Sequence, residues 1–178
     1  MNILQITPGA GGMYCGACFR DNALVGSFRR MGHSATLLPL YLPMTLDEPD
    51  QTRGAPILFG GINVYLEDKS ALFRRLPRFL TKWLDAPKLL KWTGKFASRT
   101  RPEDVGDLTV SMLKGEDGNQ AQELDQLLSW LETQGRPDVI NISNVLLIGL
   151  VRRLRKELDI PVVATLQGED FFLDALPS

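Results

Sequence analysis

Short apolar runs alternate with helically spaced ones at both ends of this chain, and that alternation limits the possible fold more than any single motif. Near the N-terminus, Asn2 to Thr7 reads as a strand built on Ile3-Leu4-Gln5-Ile6. Asp21 to Met31 has helical spacing, with Leu24, Phe28 and Met31 on one face and Gly32 placed to end it. A second strand falls within His33 to Leu40, with His33, the only histidine, at the turn before it. Near the other end, Leu124, Leu127, Leu128 and Leu131 mark a helix, which Gly135-Arg136-Pro137 closes. Asp138 to Ile142 follows as a strand. Leu147, Leu150, Val151, Leu154 and Leu158 mark another helix, and Ile160 to Leu166 another strand. Strands that are apolar along their length, joined by helices, predict a parallel sheet covered on both faces. The expected class is α/β, a three-layer αβα sandwich. With 178 residues, 44% of them hydrophobic, one domain core is within reach.

Between the first strand and the first helix lies Thr7-Pro8-Gly9-Ala10-Gly11-Gly12-Met13-Tyr14-Cys15-Gly16-Ala17-Cys18-Phe19-Arg20. Glycines in such a turn let bare backbone approach a ligand, and a helix N-terminus behind them favours an anion. A phosphate- or sugar-binding loop is one reading; a tight turn that needs glycine is the other. A dinucleotide fingerprint starting at Gly9 fails, because Tyr14 stands where its third glycine belongs and Leu38-Pro39-Leu40 ends the second strand without an acid. A P-loop fails for want of a lysine. Cys15-x-x-Cys18 admits three readings: small thiols lining the turn, a redox pair activated by the helix N-terminus, or part of a metal site. With a single histidine and two cysteines in the chain, the metal reading has few ligands to draw on.

The middle of the chain differs. Tyr41 to Pro56, punctuated by prolines and acids, reads as a loop. Ile57 to Leu66 reads as a strand region broken by Gly60-Gly61, with a bulge or hairpin at the pair. Lys69 to Arg101 then carries ten Lys or Arg against one acid, Asp85, among Phe and Trp at helical spacing. This basic helical insertion, about 69–116 with helix and turn over 102–118, fits either peripheral contact with an anionic membrane or a solvated face of a packed helix. The net charge of −1 gives no global field toward nucleic acid. No apolar run approaches the ~20 residues of a spanning helix, and two cysteines make no disulfide framework. A cytoplasmic protein, possible membrane contact aside, is the expectation.

Ligands of parallel α/β sheets bind beyond the carboxyl ends of the strands. Three polar clusters fall there: the glycine loop, Ser143-Asn144, and Gln167-Gly168-Glu169-Asp170. They are expected to converge on one crevice.

Four segments in this order, Asn2 to Gly12, Met31 to Leu38, Arg136 to Asn141 and Ile160 to Asp170, resemble the N-terminal half of a family 4 retaining glycosyltransferase. The resemblance spans essentially the whole chain. It implies a Rossmann-like domain, residues 1–178, that recognises the acceptor, facing a C-terminal domain that grips a nucleotide-diphosphate sugar and lies outside this chain. It implies transfer of a sugar with retention to a sugar or lipid-linked acceptor, and inactivity of the isolated domain. Under it, Gly11, Gly12 and Met13 reach the donor diphosphate through backbone amides, without requiring a metal or any tightly bound cofactor. Tyr14, Asn144, Gln167, Glu169 and Asp170 become substrate-binding residues, and no catalytic residue is assigned. Asp170 also fits a helix cap. Where the family carries histidine near the transferred sugar, this chain has Gln167; another strand end that often carries histidine has Asn141. Glutamine can hydrogen-bond a hydroxyl but cannot serve as acid or base near neutral pH. Two alternatives to the transferase stand beside it: a redox protein using Cys15 and Cys18, and a non-catalytic sugar-, phosphate- or membrane-binding module. The chain's end at Phe171 to Ser178, just as a new element begins, suggests a piece of a longer enzyme.

Overall fold

In the computed structural model, residues 1–60, 64, 66, 70 and 106–176 are described. Four strands, β1 (Asn2–Thr7), β2 (Ser34–Pro39), β3 (Val139–Ile142) and β4 (Val162–Ala164), form one sheet in the order β2-β1-β3-β4. Every pairing is parallel, with Ile3 opposite both Ala35 and Val139, and Ile140 opposite Val162. The helices are α1 (Gly16–Arg30), α2 (Gly106–Lys114), α3 (Ala121–Gln134), α4 (Gly149–Leu158) and α5 (Glu169–Asp174). Single turns of 3₁₀ helix lie at Gly115–Asp117 and Val145–Leu147. This is the α/β, Rossmann-like arrangement that the alternation predicts.

Strand alternation sorts the core onto two faces. Leu4, Ile6, Leu38, Ile140 and Ile142 pack with Leu124, Leu127 and Leu131 of α3 and Leu150 and Leu154 of α4. The odd-numbered neighbours Ile3, Ala35 and Leu37 meet Val25 and Phe28 of α1 on the other face. Helices therefore cover both faces. Coverage thins toward β4, an edge strand on which Val163 is 53% exposed.

Three local expectations are corrected. First, α1 begins five residues before Asp21, because Cys15 holds an extended conformation and caps the helix. Its buried face is then Cys18, Asp21, Asn22 and Val25, while Leu24 is half-buried and Met31 is exposed. Apolar spacing alone missed this face because two of its members are polar. Asn22 is accommodated by bonding the 49–51 segment: Nδ2 donates to the Pro49 carbonyl at 3.1 Å and Oδ1 accepts from the Gln51 amide at 2.8 Å. Second, no strand forms over 57–60. Phe59 reaches the sheet by one bond, donating its amide to the Leu40 carbonyl at 2.9 Å, and buries its ring in the core. Val64 and Leu66 are helical, and the Val64 amide donates to the Gly60 carbonyl at 3.0 Å; Gly61 lies outside the described residues. Third, β4 is only Val162–Ala164, shorter than the apolar run around it. The helix and turn expected over 102–118 are present from Gly106 onward. The basic segment Lys69 to Arg101 lies outside the described residues, Ser70 excepted.

Candidate functional site at the strand ends

The chain leaves β1 at Thr7 and folds over the end of β2. The Leu40 amide donates to the Thr7 carbonyl at 2.8 Å and the Tyr41 amide to the Pro8 carbonyl at 2.9 Å. Gly9 has φ +78°, and a Cβ there would overlap the Leu42 carbonyl oxygen, so only glycine fits. The Gly11 amide donates to the Pro43 carbonyl at 2.7 Å, and the Gly11 carbonyl accepts from Thr45 Oγ1 at 2.7 Å. The Met13 amide donates to the Ala10 carbonyl at 3.2 Å. Of the three amides singled out in the sequence, those of Gly11 and Met13 are thus engaged in shaping the loop. Gly12 is exposed, and its amide meets no acceptor among the described residues.

The connection from β1 runs to β2 on one side, while β3 pairs on the other side of β1. Loops leaving β1 and β3 must therefore part, opening a crevice between them. The Ser143 amide donates to the Ile6 carbonyl at 2.9 Å and carries the chain out of β3. Asn144 then caps the 3₁₀ turn, its Oδ1 accepting from the Leu146 amide at 2.8 Å. Arg20, one turn into α1, reaches across to this loop. Its Nη2 donates to Asp21 Oδ1 at 2.8 Å and lies 3.5 Å from the Ser143 carbonyl oxygen, and 42% of its side chain stays exposed.

Glu169, at the start of α5, closes the crevice from the β4 side. Its Oε1 accepts from the Val145 amide at 3.2 Å and its Oε2 from the Gln167 amide at 2.6 Å. Burial raises its carboxyl pKa, but the amides of Gln167, Glu169 and Val145 and the positive field of Arg20 outweigh burial and hold it below the usual carboxylate range. Glu169 thus joins the loops after β3 and β4, and Arg20 links the start of α1 to the loop after β3, whereas the glycine loop is bonded to residues 43 and 45 beyond β2.

Beneath α1 the sheet turns polar toward this edge. Gln5, Thr7 and Asp21 are fully buried, and Asn141 Nδ2 donates to Gln5 Oε1 at 2.8 Å. Asp21 Oδ2, Ser143 Oγ and Gln167 Nε2 are buried without a partner among the described residues. Unsatisfied buried polar atoms are costly, which makes their clustering at one edge informative. Tyr14 is 78% exposed with its ring 5.9 Å from that of Phe19, and Asp170 is exposed on α5. Gly168, in the left-handed region, is the residue that caps α5.

Sequence reasoning singled out the stretch from Thr7 to Arg20 but gave neither residue a role, and it missed Asp21 as a member of this edge. Once α1 is known to start at Gly16, its 3.6-residue period brings Cys18 and Asp21 to the sheet, so the signal was the cap. Among the described residues, no helix is long and apolar enough to cross a membrane, and no three metal-ligating side chains cluster. A hollow of about 460 Å³ lined by Asp107, Ser111, Lys114 and Asp117 lies on α2 and the turn after it, away from the strand ends. No protein-family model matches the chain, and no curated protein or solved structure matches it either.

Proposed function

We propose that this chain is the acceptor-side domain of a retaining glycosyltransferase, with the crevice between the β1 and β3 loops as its substrate site. The observations that carry the reading are an exposed glycine, Gly12, in the loop after β1, and a half-exposed guanidinium, Arg20, that bonds the loop after β3, where the strand-end loops diverge. A backbone dipole and a fixed cation together suit the diphosphate of a nucleotide-sugar, whose charge grows as the bond to the sugar breaks. Neither group needs to exchange a proton. The buried Gln167 Nε2 supplies a donor for a sugar hydroxyl, and Asn144 and Glu169 hold the loops around it. Tyr14 and Asp170, both exposed, would contact the acceptor in this reading. In this reading the donor domain is a separate partner that completes the site, and the basic segment Lys69 to Arg101 serves a lipid-linked acceptor at the membrane surface.

The test uses the complete gene product with a panel of nucleotide-sugars, reading donor hydrolysis or transfer. Gly12→Val and Arg20→Gln should each lower kcat/KM by about tenfold or more, a loss of ~1.4 kcal/mol of transition-state stabilisation. Lys156→Ala, exposed on α4, should leave turnover unchanged. Absence of turnover with every donor, or turnover indifferent to both crevice variants, overturns the reading.

A further inference from the structure

We propose that Cys15 and Cys18 form a dithiol site for reversible exchange with small disulfides, in which Cys15 attacks and Cys18 resolves. The transfer reading makes no use of these thiols, and this inference is independent of it.

Geometry separates the two roles. Cys15 is the N-cap of α1 and is half-buried, whereas Cys18, in the first turn, is 1% exposed. Cys15 Sγ accepts from the Cys18 amide at 3.4 Å, so the attacking sulfur sits over the positive end of a 15-residue helix. Both thiols are free. The Cys18 thiol also hydrogen-bonds Cys15, which contributes most to drawing the Cys15 pKa down to about 6 against the effect of burial. The same bond, with burial and the nearby Cys15 and Asp21 charges, pushes Cys18 far up; the Thr7 hydroxyl of β1 opposes this weakly. Asp21 is the charged group that faces both sulfurs, and its carboxylate raises the pKa of each. The pair is thus asymmetric, with Cys15 drawn toward the thiolate and Cys18 toward the thiol.

The exchange balances with a disulfide as oxidant, for which oxidised glutathione is the probe. The Cys15 thiolate attacks one sulfur of the disulfide, and the other sulfur leaves as a thiolate. Cys18 then attacks Cys15 Sγ, breaks the mixed disulfide and expels the second thiolate, while its own proton ends on one of the two departing sulfurs. The protein pair loses two electrons and the small disulfide gains them.

Two measurements on the full chain test this. In wild-type protein at about pH 6, iodoacetamide should modify Cys15 about tenfold faster than an unperturbed thiol. That figure is the gain in thiolate fraction, ~160-fold for a pKa near 6 against ~8.5, less the ~13-fold loss of intrinsic nucleophilicity. Cys18 should stay unmodified. Equilibration in glutathione buffers should give a Cys15–Cys18 disulfide, seen by mass as the loss of two hydrogens and reversed by excess thiol. Cys18→Ser should accumulate a glutathione adduct at Cys15, and Cys15→Ser none at Cys18. Equal alkylation of the two thiols in the wild-type chain, or no intramolecular disulfide at any glutathione ratio, overturns the proposal without reliance on a variant that folds.

Discussion

Glu169 shows how a residue's role changes once its neighbours are known. In the sequence it stands in a polar cluster after an apolar run, and the glycosyltransferase resemblance implies that it binds substrate. In the fold each carboxylate oxygen accepts from a backbone amide, at Val145 and Gln167, so it joins the loops after β3 and β4. Glu169→Gln should destabilise the protein by about 1–3 kcal/mol at neutral pH, because charge-assisted bonds to buried amides are weakened. The pH dependence has a definite sign. A carboxyl held below its unfolded value of about 4.3 adds stability above that pH and loses it as pH falls through the folded value. Urea unfolding of wild type and variant should therefore differ at about pH 7 and draw together as the pH falls below the unfolded value of about 4.3; a gap that widens on acidification contradicts the clamp. Gly9 was legible as a turn glycine, but the Leu42 carbonyl that excludes a side chain there comes from beyond β2.

Elements pack here through backbone as well as side chains. Gly149, at the start of α4, has no room for a Cβ, which would overlap the Met112 carbonyl oxygen at the end of α2. Gly115 has φ +58°, and its Cβ would overlap the Gly149 carbonyl oxygen. The helices meet glycine to glycine, so Gly149→Ala should cost about 1–3 kcal/mol as overpacking, measured as a lower urea midpoint at unchanged m-value. Gly106–Lys114 and Gly149–Leu158 could each be read as helices from spacing, but this close approach could not, since either glycine alone looks like a minor helix weakener. Around it, Arg152 and Arg153 pair with Glu116, Asp117 and Asp125 at 3.0–3.6 Å. Arg152 is largely exposed, so its pairs add little to stability. The first helix teaches a related lesson. Its true start depends on a cysteine acting as a cap, an uncommon choice beside Ser, Thr, Asp or Asn, and the helix's buried face depends on polar residues with tertiary partners.

At the scale of the molecule, the order β2-β1-β3-β4 puts β1 and β3 inside and leaves β2 and β4 at the edges. Amide hydrogen exchange should accordingly be slowest at Leu4, Ile6, Ile140 and Ile142 and fastest in β4, where neighbouring Leu166 and Phe171 are also exposed. Protection of β4 equal to that of β1 would contradict this gradient. The sequence by itself determined the class of the fold. Apolar runs that tolerate burial on both faces must be covered by helices, and local periodicity records both properties. It also determined that polar groups would collect at the strand ends, since a loop after each strand has to fall there. Only the tertiary structure decided which of those groups face the crevice. Gly12 lies exposed between Gly11 and Met13, whose amides bond Pro43 and Ala10, and Arg20 bonds the Ser143 carbonyl from an α1 that starts early. Such choices depend on acceptors brought close by folding, and no local pattern carries the position of a partner that lies elsewhere in the chain.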